Sequence, residues 1–230
     1  MDSMPHLMHE HSLDEVGFGG KPLAYVDLEF TGLDPLVHDI TEIAILKPAW
    51  AWDERTPTTE PLPGWRAWNV KVWPEHLHTA SEEALQINGF NEGVWRKESI
   101  ELHDAMTVVQ TVLKDTVVVG HNNFLDMAFI YDAFDRCYGV GALDMKYRID
   151  TSTLIWEHLV PLGLTRGSLA DACTVCGISN EGQHRALADV LRTKLLVDAL
   201  VFTSFDPLEH KRRVARIAEL EAARGEGGKG

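Results

Sequence analysis

Two carboxylates, Asp27 and Glu29, interrupt the otherwise apolar run LAYVDLEF that begins at Leu23. If that run is a strand, its two-residue period points both acids to one face. At about 5 Å, two such charges repel by roughly 3 kcal/mol at an effective dielectric near 20. Something positive must relieve this. It is either a bound cation, or an Arg or Lys paired with one acid while the other reaches solvent. Asp126 follows the β-branched run TVVVG, where HNNFLD turns into a helix. It either projects from a strand's carboxyl end into a cleft or complements a helix macrodipole. Asp189 lies inside an apolar helical pattern, where a buried acid requires an exposed face or a cationic partner. His184 precedes it at a loop-to-helix junction, and a neutral imidazole beside such an acid is suited to take up a proton near pH 7.

The elements that must hold these groups are legible from period and punctuation. LAYVDLEF is a buried strand ended by the turn signals of TGLDP, and TEIAIL is a second strand. Residues 48–64, rich in Pro and Trp, read as a connection, and AWNVKVW alternates as a third strand. ASEEALQIN predicts a helix capped by Ser81, and a longer helix is expected over about 99–114. TVVVG is a buried strand leading through HNNF into a helix carrying Met127, Ile130 and Phe134. A short strand ends at Ile149, and helical segments follow near 151–160 and 166–176. The last core helix, about 185–202, is expected to bury Leu187, Leu191 and Leu195. Three early strands followed by alternating helix and strand predict an α/β fold, a mixed sheet with an antiparallel and a parallel half.

At 230 residues with 45% hydrophobic composition, the chain can bury one sizeable core. The expected organisation is a flexible arm over 1–20, containing His6, His9 and His11, a domain over 21–203, and a charged helix with a solvated tail over 204–230. A formal net charge of −14 argues against a protein that holds long nucleic acid by a general basic surface, and by itself reads as serving solubility. Bound divalent cations invert that logic locally, making a carboxylate cluster attractive to phosphate. No apolar run approaches the ~18 residues of a membrane span, and no basic and apolar leader opens the chain, so a cytoplasmic location is expected. Cys173 and Cys176 fall in an apolar helical pattern without a second ligand pair, so they read as core packing. The tryptophans between Trp50 and Trp73 read as packing, with base stacking by an exposed one as the alternative. The KRRVAR run reads as a solvated helix face.

Taken in order, YVDLEFTGLDP, GHNNFLD and HRALAD resemble the three exonuclease motifs of the DEDDh family of 3′→5′ exonucleases. ALQINGF and RIDTSTLIW fit the same pattern, so the resemblance covers about residues 22–202. It extends to polymerase proofreading subunits and to the ribonuclease T and oligoribonuclease branches. The resemblance implies a ribonuclease-H-like mixed sheet flanked by helices. It implies metal ligands at Asp27, Glu29, Asp126 and Asp189, with His184 as the base that activates the attacking water. Thr31, Gly32 and Leu33 match the turn against the terminal nucleotide, and Phe30, His121 and Asn122 are placed on the substrate side as well. Phe30 replaces a Thr common in the proofreading branch and Leu125 replaces a Phe, departures that bear on substrate fit.

The chemistry agrees with that assignment. Phosphodiester hydrolysis needs a nucleophile from water, neutralised phosphoryl oxygens and a stabilised leaving oxygen, and two divalent cations about 4 Å apart meet all three needs. An oxygen-only ligand set suits two Mg²⁺ or Mn²⁺ ions. The function expected is removal of 5′-mononucleotides from 3′ ends, foremost of single-stranded DNA. The alternatives are RNA or short-oligoribonucleotide trimming, or an inactive subunit that binds nucleic acid or a polymerase. The partners implied are nucleic acid with a free 3′ end, with a DNA polymerase or a second copy of the chain as further options, and no membrane.

Overall fold

The computed structural model describes residues 15–141, 143, 145–202 and 207–227; the histidines expected to form an N-terminal cluster lie outside them. Of the predicted arm, residues 15–20 form a turn held by a bridge between Val16 and Pro22 and by Phe18 stacked on Tyr147.

The strands are β1 (Leu23–Phe30), β2 (Ile40–Pro48), β3 (Thr59–Leu62), β4 (Trp65–Lys71), β5 (Val117–Gly120) and β6 (Arg148–Asp150). They form one six-stranded sheet in the order β3-β4-β2-β1-β5-β6. Pairing is antiparallel from β3 to β1 and parallel from β1 through β5 to β6, the mixed sheet that the pattern predicted. The helices are α1 (Glu82–Ile87), α2 (Glu92–Glu98), α3 (Leu102–Leu113), α4 (Phe124–Tyr138), α5 (Thr151–His158), α6 (Leu169–Cys176), α7 (Ala186–Val197) and α8 (Pro207–Gly227). Ser81 caps α1, as expected, by accepting the Ala84 N–H. No helix among the described residues is long and apolar enough to cross a membrane.

Strand alternation divides the core. Ala24, Val26 and Leu28 of β1 join Ile43 and Ile45 of β2 on one face, under Met106 and Val109 of α3 and Met127, Ile130 and Phe134 of α4. Leu23 and Tyr25 point to the other face, where Ala186, Val190 and Val197 of α7 cover them. Asp27 and Glu29 continue this second series by period, so the helix that buries Tyr25 also approaches both acids. A third cluster joins Ile155 and Leu159 to Ala172 and Val175 of α6, Leu196 of α7 and Ile217 of α8.

Four expectations need correction. The connection over 48–64 contains β3, a short, partly exposed edge strand whose TEPL sequence carries no strong strand signal. The strand expected third is therefore β4. Helix α7 ends at Val197 and continues as a wider π turn over Asp198–Phe202; its buried face runs through Ala186, Val190, Thr193 and Val197, so Leu187 and Leu191 are only half-buried and Leu195, on the far side, is 38% exposed. The charged C-terminal helix is not wholly solvated: Ile217 is buried, Arg213 donates to the Ala199 carbonyl and Arg216 to the Val175 carbonyl. The KRRVAR run thus spends two of its guanidinium groups on main-chain acceptors. Cys173 is buried and Cys176 packs at the edge of the third cluster. Trp52, Trp65 and Trp68 are buried and Trp50 is half exposed.

Candidate active site

On β1, Asp27 is paired across the sheet with Ala44, and Glu29 with Glu42 of β2. Glu42 is 5% exposed, so a third acid directly faces Glu29 within the sheet. Like charges opposite one another destabilise an antiparallel pair. Sequence reading missed Glu42; the signal was an acid inside the buried run ITEIAIL, whose register against β1 was not legible.

The other two acids arrive on helices. β5 runs parallel to β1, so both strands end at the same edge of the sheet and α4 starts there. Asp126 sits in the first turn of α4, 7% exposed, with its carboxylate beside the Leu28 main chain. Asp189 sits in the first turn of α7 and is 8% exposed. One carboxylate oxygen from each of Asp27, Glu29 and Asp189 lies within 4.8 Å of the others. Asp126 falls outside that mutual set but close enough to repel Asp27.

Burial and this repulsion raise the proton affinity of Asp27, Glu29 and Asp126. Asp27 is pushed well above the carboxylate range by burial first, then by Asp126 and Glu29, with Arg192 opposing. Glu29 rises to about 7 through burial and then Glu42, with Arg185 opposing. Asp126 also rises to about 7, mainly by burial, although the Leu28 N–H and its own N–H favour the carboxylate. The site therefore carries more negative charge than its surroundings solvate. An oxygen-only donor set with that excess fits hard divalent cations.

Asp189 has the cationic partner that its position demanded: Arg192, one turn along α7, forms an ion pair with it. Arg192 is 5% exposed and also reaches the carbonyl and side-chain oxygens of Asn180. His184 is tied to the site by its main chain, whose N–H donates to Asp189 Oδ2 at 3.0 Å, while the residue itself is exposed. Its φ of 62° lies in the left-handed region.

The residues placed on the substrate side divide by what already occupies them. Thr31 is fully buried and its Oγ1 accepts the Asp39 N–H, so it closes the turn after β1. Gly32 leaves no room for a side chain, since a Cβ there would meet the His38 ring at 2.3 Å. Leu33 is 76% exposed. Phe30 stacks on Phe129 with ring centroids 4.0 Å apart, and Leu125 packs against the same cluster. His121 Nδ1 pairs with Thr151 Oγ1 at 3.0 Å, and burial lowers its proton affinity. The main-chain N–H groups of Asn122 and Asn123 both donate to Asp150, which fixes the loop leading to Asp126. Asp39, Glu75 and His76 also converge, but Arg136 bridges Asp39 and Glu75, so the protein neutralises that group itself.

Comparison with known proteins places this geometry. The RNase T family model, described as exonuclease, matches residues 25–197, which include all four acids and His184. The chain is 27% identical over 211 residues to a PolC-type DNA polymerase III of Thermotoga maritima, covering 90% of this chain and 14% of the polymerase. It is also 27% identical over 218 residues to ribonuclease T of Blochmanniella pennsylvanica, covering 84% of this chain and 89% of that protein. Among solved structures, the zinc-bound complex of E. coli exonuclease I with single-stranded DNA matches with a TM-score of 0.64 at 19% identity, over 82% of this chain and 42% of that one. The complex of the same enzyme with a dA16 oligonucleotide matches at 0.62 and 18% identity, over the same shares. At that identity the likeness establishes the fold. The chain thus spans about one seventh of the polymerase and under half of exonuclease I.

Proposed function

Because this chain belongs to the RNase T family of 3′→5′ exonucleases, which residues 25–197 match, we propose that it removes 5′-mononucleotides from the 3′ ends of single-stranded DNA, with residues 21–203 as the exonuclease domain. The observation that carries this reading is the convergence of Asp27, Glu29 and Asp189 within 4.8 Å, with Asp126 against Asp27. When bound, a pair of Mg²⁺ or Mn²⁺ ions supplies neutralisation of the phosphoryl oxygens and a more acidic water. Asp27, Glu29, Asp126 and Asp189 hold that pair. His184 accepts the proton of the attacking water, whose oxygen bonds to phosphorus as the bond to the 3′ oxygen of the preceding nucleotide breaks. The departing 3′ oxygen takes up a proton, and the freed nucleotide keeps the 5′ phosphate. The turn from Phe30 to Leu33 and the loop at His121 and Asn122 flank the terminal nucleotide, with exposed Leu33 as the group free to touch it.

The choice of DNA is supported by the single-stranded DNA and the oligonucleotide bound to the exonuclease I neighbours. RNA trimming is the second reading. It is favoured by the ribonuclease T relative, which aligns over 89% of its own length. Digestion of 3′- and 5′-labelled single-stranded DNA and RNA side by side, with Mg²⁺, Mn²⁺ or EDTA, tests both. Mononucleotides released from the 3′ end in a chelator-sensitive reaction are expected. Cleavage of a closed single-stranded circle, or full activity after exhaustive chelation, would overturn the reading.

A further inference from the structure

The residue after the proposed base makes a contact that its motif does not explain. Arg185 caps the start of α7 with extended backbone, directly after His184 in its left-handed conformation. Its Nη1 donates to the main-chain carbonyl of Asn88, at the end of α1. Asn88 is 3% exposed, and its Nδ2 donates at 2.9 Å to the main-chain carbonyl of Phe30, next to Glu29. Asn88 Oδ1 also accepts the Phe90 N–H, which closes the turn around Gly89. The φ of +62° at Gly89 favours glycine, and a Cβ there would stand 2.6 Å from Arg185 Nη2, so the guanidinium would have to move off the turn. A chain of polar contacts therefore runs from the end of β1 through Asn88 to Arg185. It connects the strand that bears Asp27 and Glu29 to the loop that bears His184.

Such a connection has a mechanical purpose. The segment Glu181–Arg185 is exposed, and it is tied to α7 at Asp189, whose Oδ2 accepts the His184 N–H and whose own N–H donates to the Arg185 carbonyl. Both bonds converge on Asp189 and fix the loop to the first turn of α7, but neither fixes it relative to β1. The guanidinium, held about a side chain's length away on another element, removes that remaining freedom. We propose that Arg185 is a positioning residue: by clamping onto the Asn88–Gly89 turn, it fixes His184 relative to Asp27 and Glu29. This rests on the exonuclease reading of the site, in which His184 is the base. Displacement of a reacting group by about 1 Å can cost on the order of 10²-fold in rate.

The test compares the wild-type chain with Arg185→Met, Arg185→Lys and Gly89→Ala. Three quantities are read on each protein: kcat and KM on a short 3′-labelled single-stranded DNA with Mn²⁺, melting temperature, and backbone amide exchange by mass spectrometry. Arg185→Met is expected to lower kcat by about 10- to 100-fold while KM changes by less than about 3-fold. Exchange should accelerate over residues 181–186 and nowhere else, with an unchanged melting temperature. Arg185→Lys should recover part of kcat, because one ammonium donor can still reach the Asn88 carbonyl. Gly89→Ala should reproduce the Met variant through the clash with Arg185. Unchanged kcat and exchange in Arg185→Met overturn the proposal. A rise in KM with kcat intact overturns it in favour of a phosphate contact. Faster exchange along all of α7 with a lowered melting temperature overturns it in favour of a general structural role. If wild-type protein cleaves nothing, the exonuclease reading fails, while the exchange measurement still reports whether Arg185 holds the loop.

Discussion

At the scale of single residues, the site is defined by negative charge that its surroundings do not neutralise. Three acids are driven upward by burial before any pairwise repulsion is counted, and Arg192 and Arg185 offset only part of the cost. Replacement of Asp27 or Asp189 by Ala should abolish Mg²⁺-dependent turnover, measured as mononucleotide release, because on the proposed reading each loss would leave a cation short of a ligand. His184→Ala should retain oligonucleotide binding in Ca²⁺ and a normal melting temperature while its rate falls by about 10²- to 10⁴-fold, the range for loss of a general base. Near-full rate in that variant across pH 6 to 9 would remove His184 from its role. The raised carboxylates also set a pH dependence. Glu29 titrates near 7 in the folded, metal-free protein and near 4.5 when unfolded. The folded state therefore holds the extra proton in that window, and its contribution to stability is lost as pH rises from about 4.5 through 7. Cations must displace the same protons, so Mn²⁺ affinity should strengthen from pH 6 to pH 8 with release of on the order of one proton. Calorimetry in buffers of different ionisation enthalpy measures this, and pH-independent affinity without proton release would contradict it.

At the scale of elements, each acid depends on a different structural rule. Strand alternation places Asp27 and Glu29, while parallel pairing of β1 with β5 brings the start of α4, and with it Asp126, to the edge where β1 ends. Asp150, at the end of β6, then accepts the N–H groups of Asn122, Asn123 and Ser152, locking the loop before α4 to the start of α5. Helix α8 works at a distance from this machinery. It buries Ile217 against the third cluster, Arg224 pairs with Asp171 of α6, and Glu221 accepts from Thr165. Ile217→Ala should cost about 2–5 kcal/mol of stability by opening a cavity. Because no described side chain of α8 belongs to the acid cluster, kcat at a temperature where the variant is folded should match wild type. A large loss of kcat without loss of stability would show that α8 reaches the site.

At the scale of the whole molecule, a net charge of −14 opposes the approach of a polyanion on average, and bound cations reverse that locally. Binding should then depend on few phosphate contacts. The logarithmic slope of oligonucleotide affinity against monovalent salt, in saturating Ca²⁺, should be shallower than about −2. A protein with six to ten phosphate contacts to a single strand would give roughly −4 to −7. A slope in that steeper range would mean that a basic track exists across the acidic surface. Without divalent cations, binding should be undetectable under the same conditions.

What the sequence determined by itself was whatever depends on near neighbours. The alternation in LAYVDLEF places Asp27 and Glu29 on one face, the β-branched TVVVG run marks β5, and Ser81 caps its helix, because period and capping act within a few residues. The order of the three motifs then identified the family. Only the tertiary structure decided the partners. Glu42 faces Glu29 because of a register set by the whole β1–β2 pair, interrupted by an irregularity at Glu29 and Phe30. Arg185 meets Asn88 across 97 positions of chain. The edge strand β3 and the burial of α8 followed from what lay beside them, against weak or contrary local patterns. Contacts of this kind depend on how the sheet twists and where each helix crosses it, and the residues near either partner in the sequence carry no record of that.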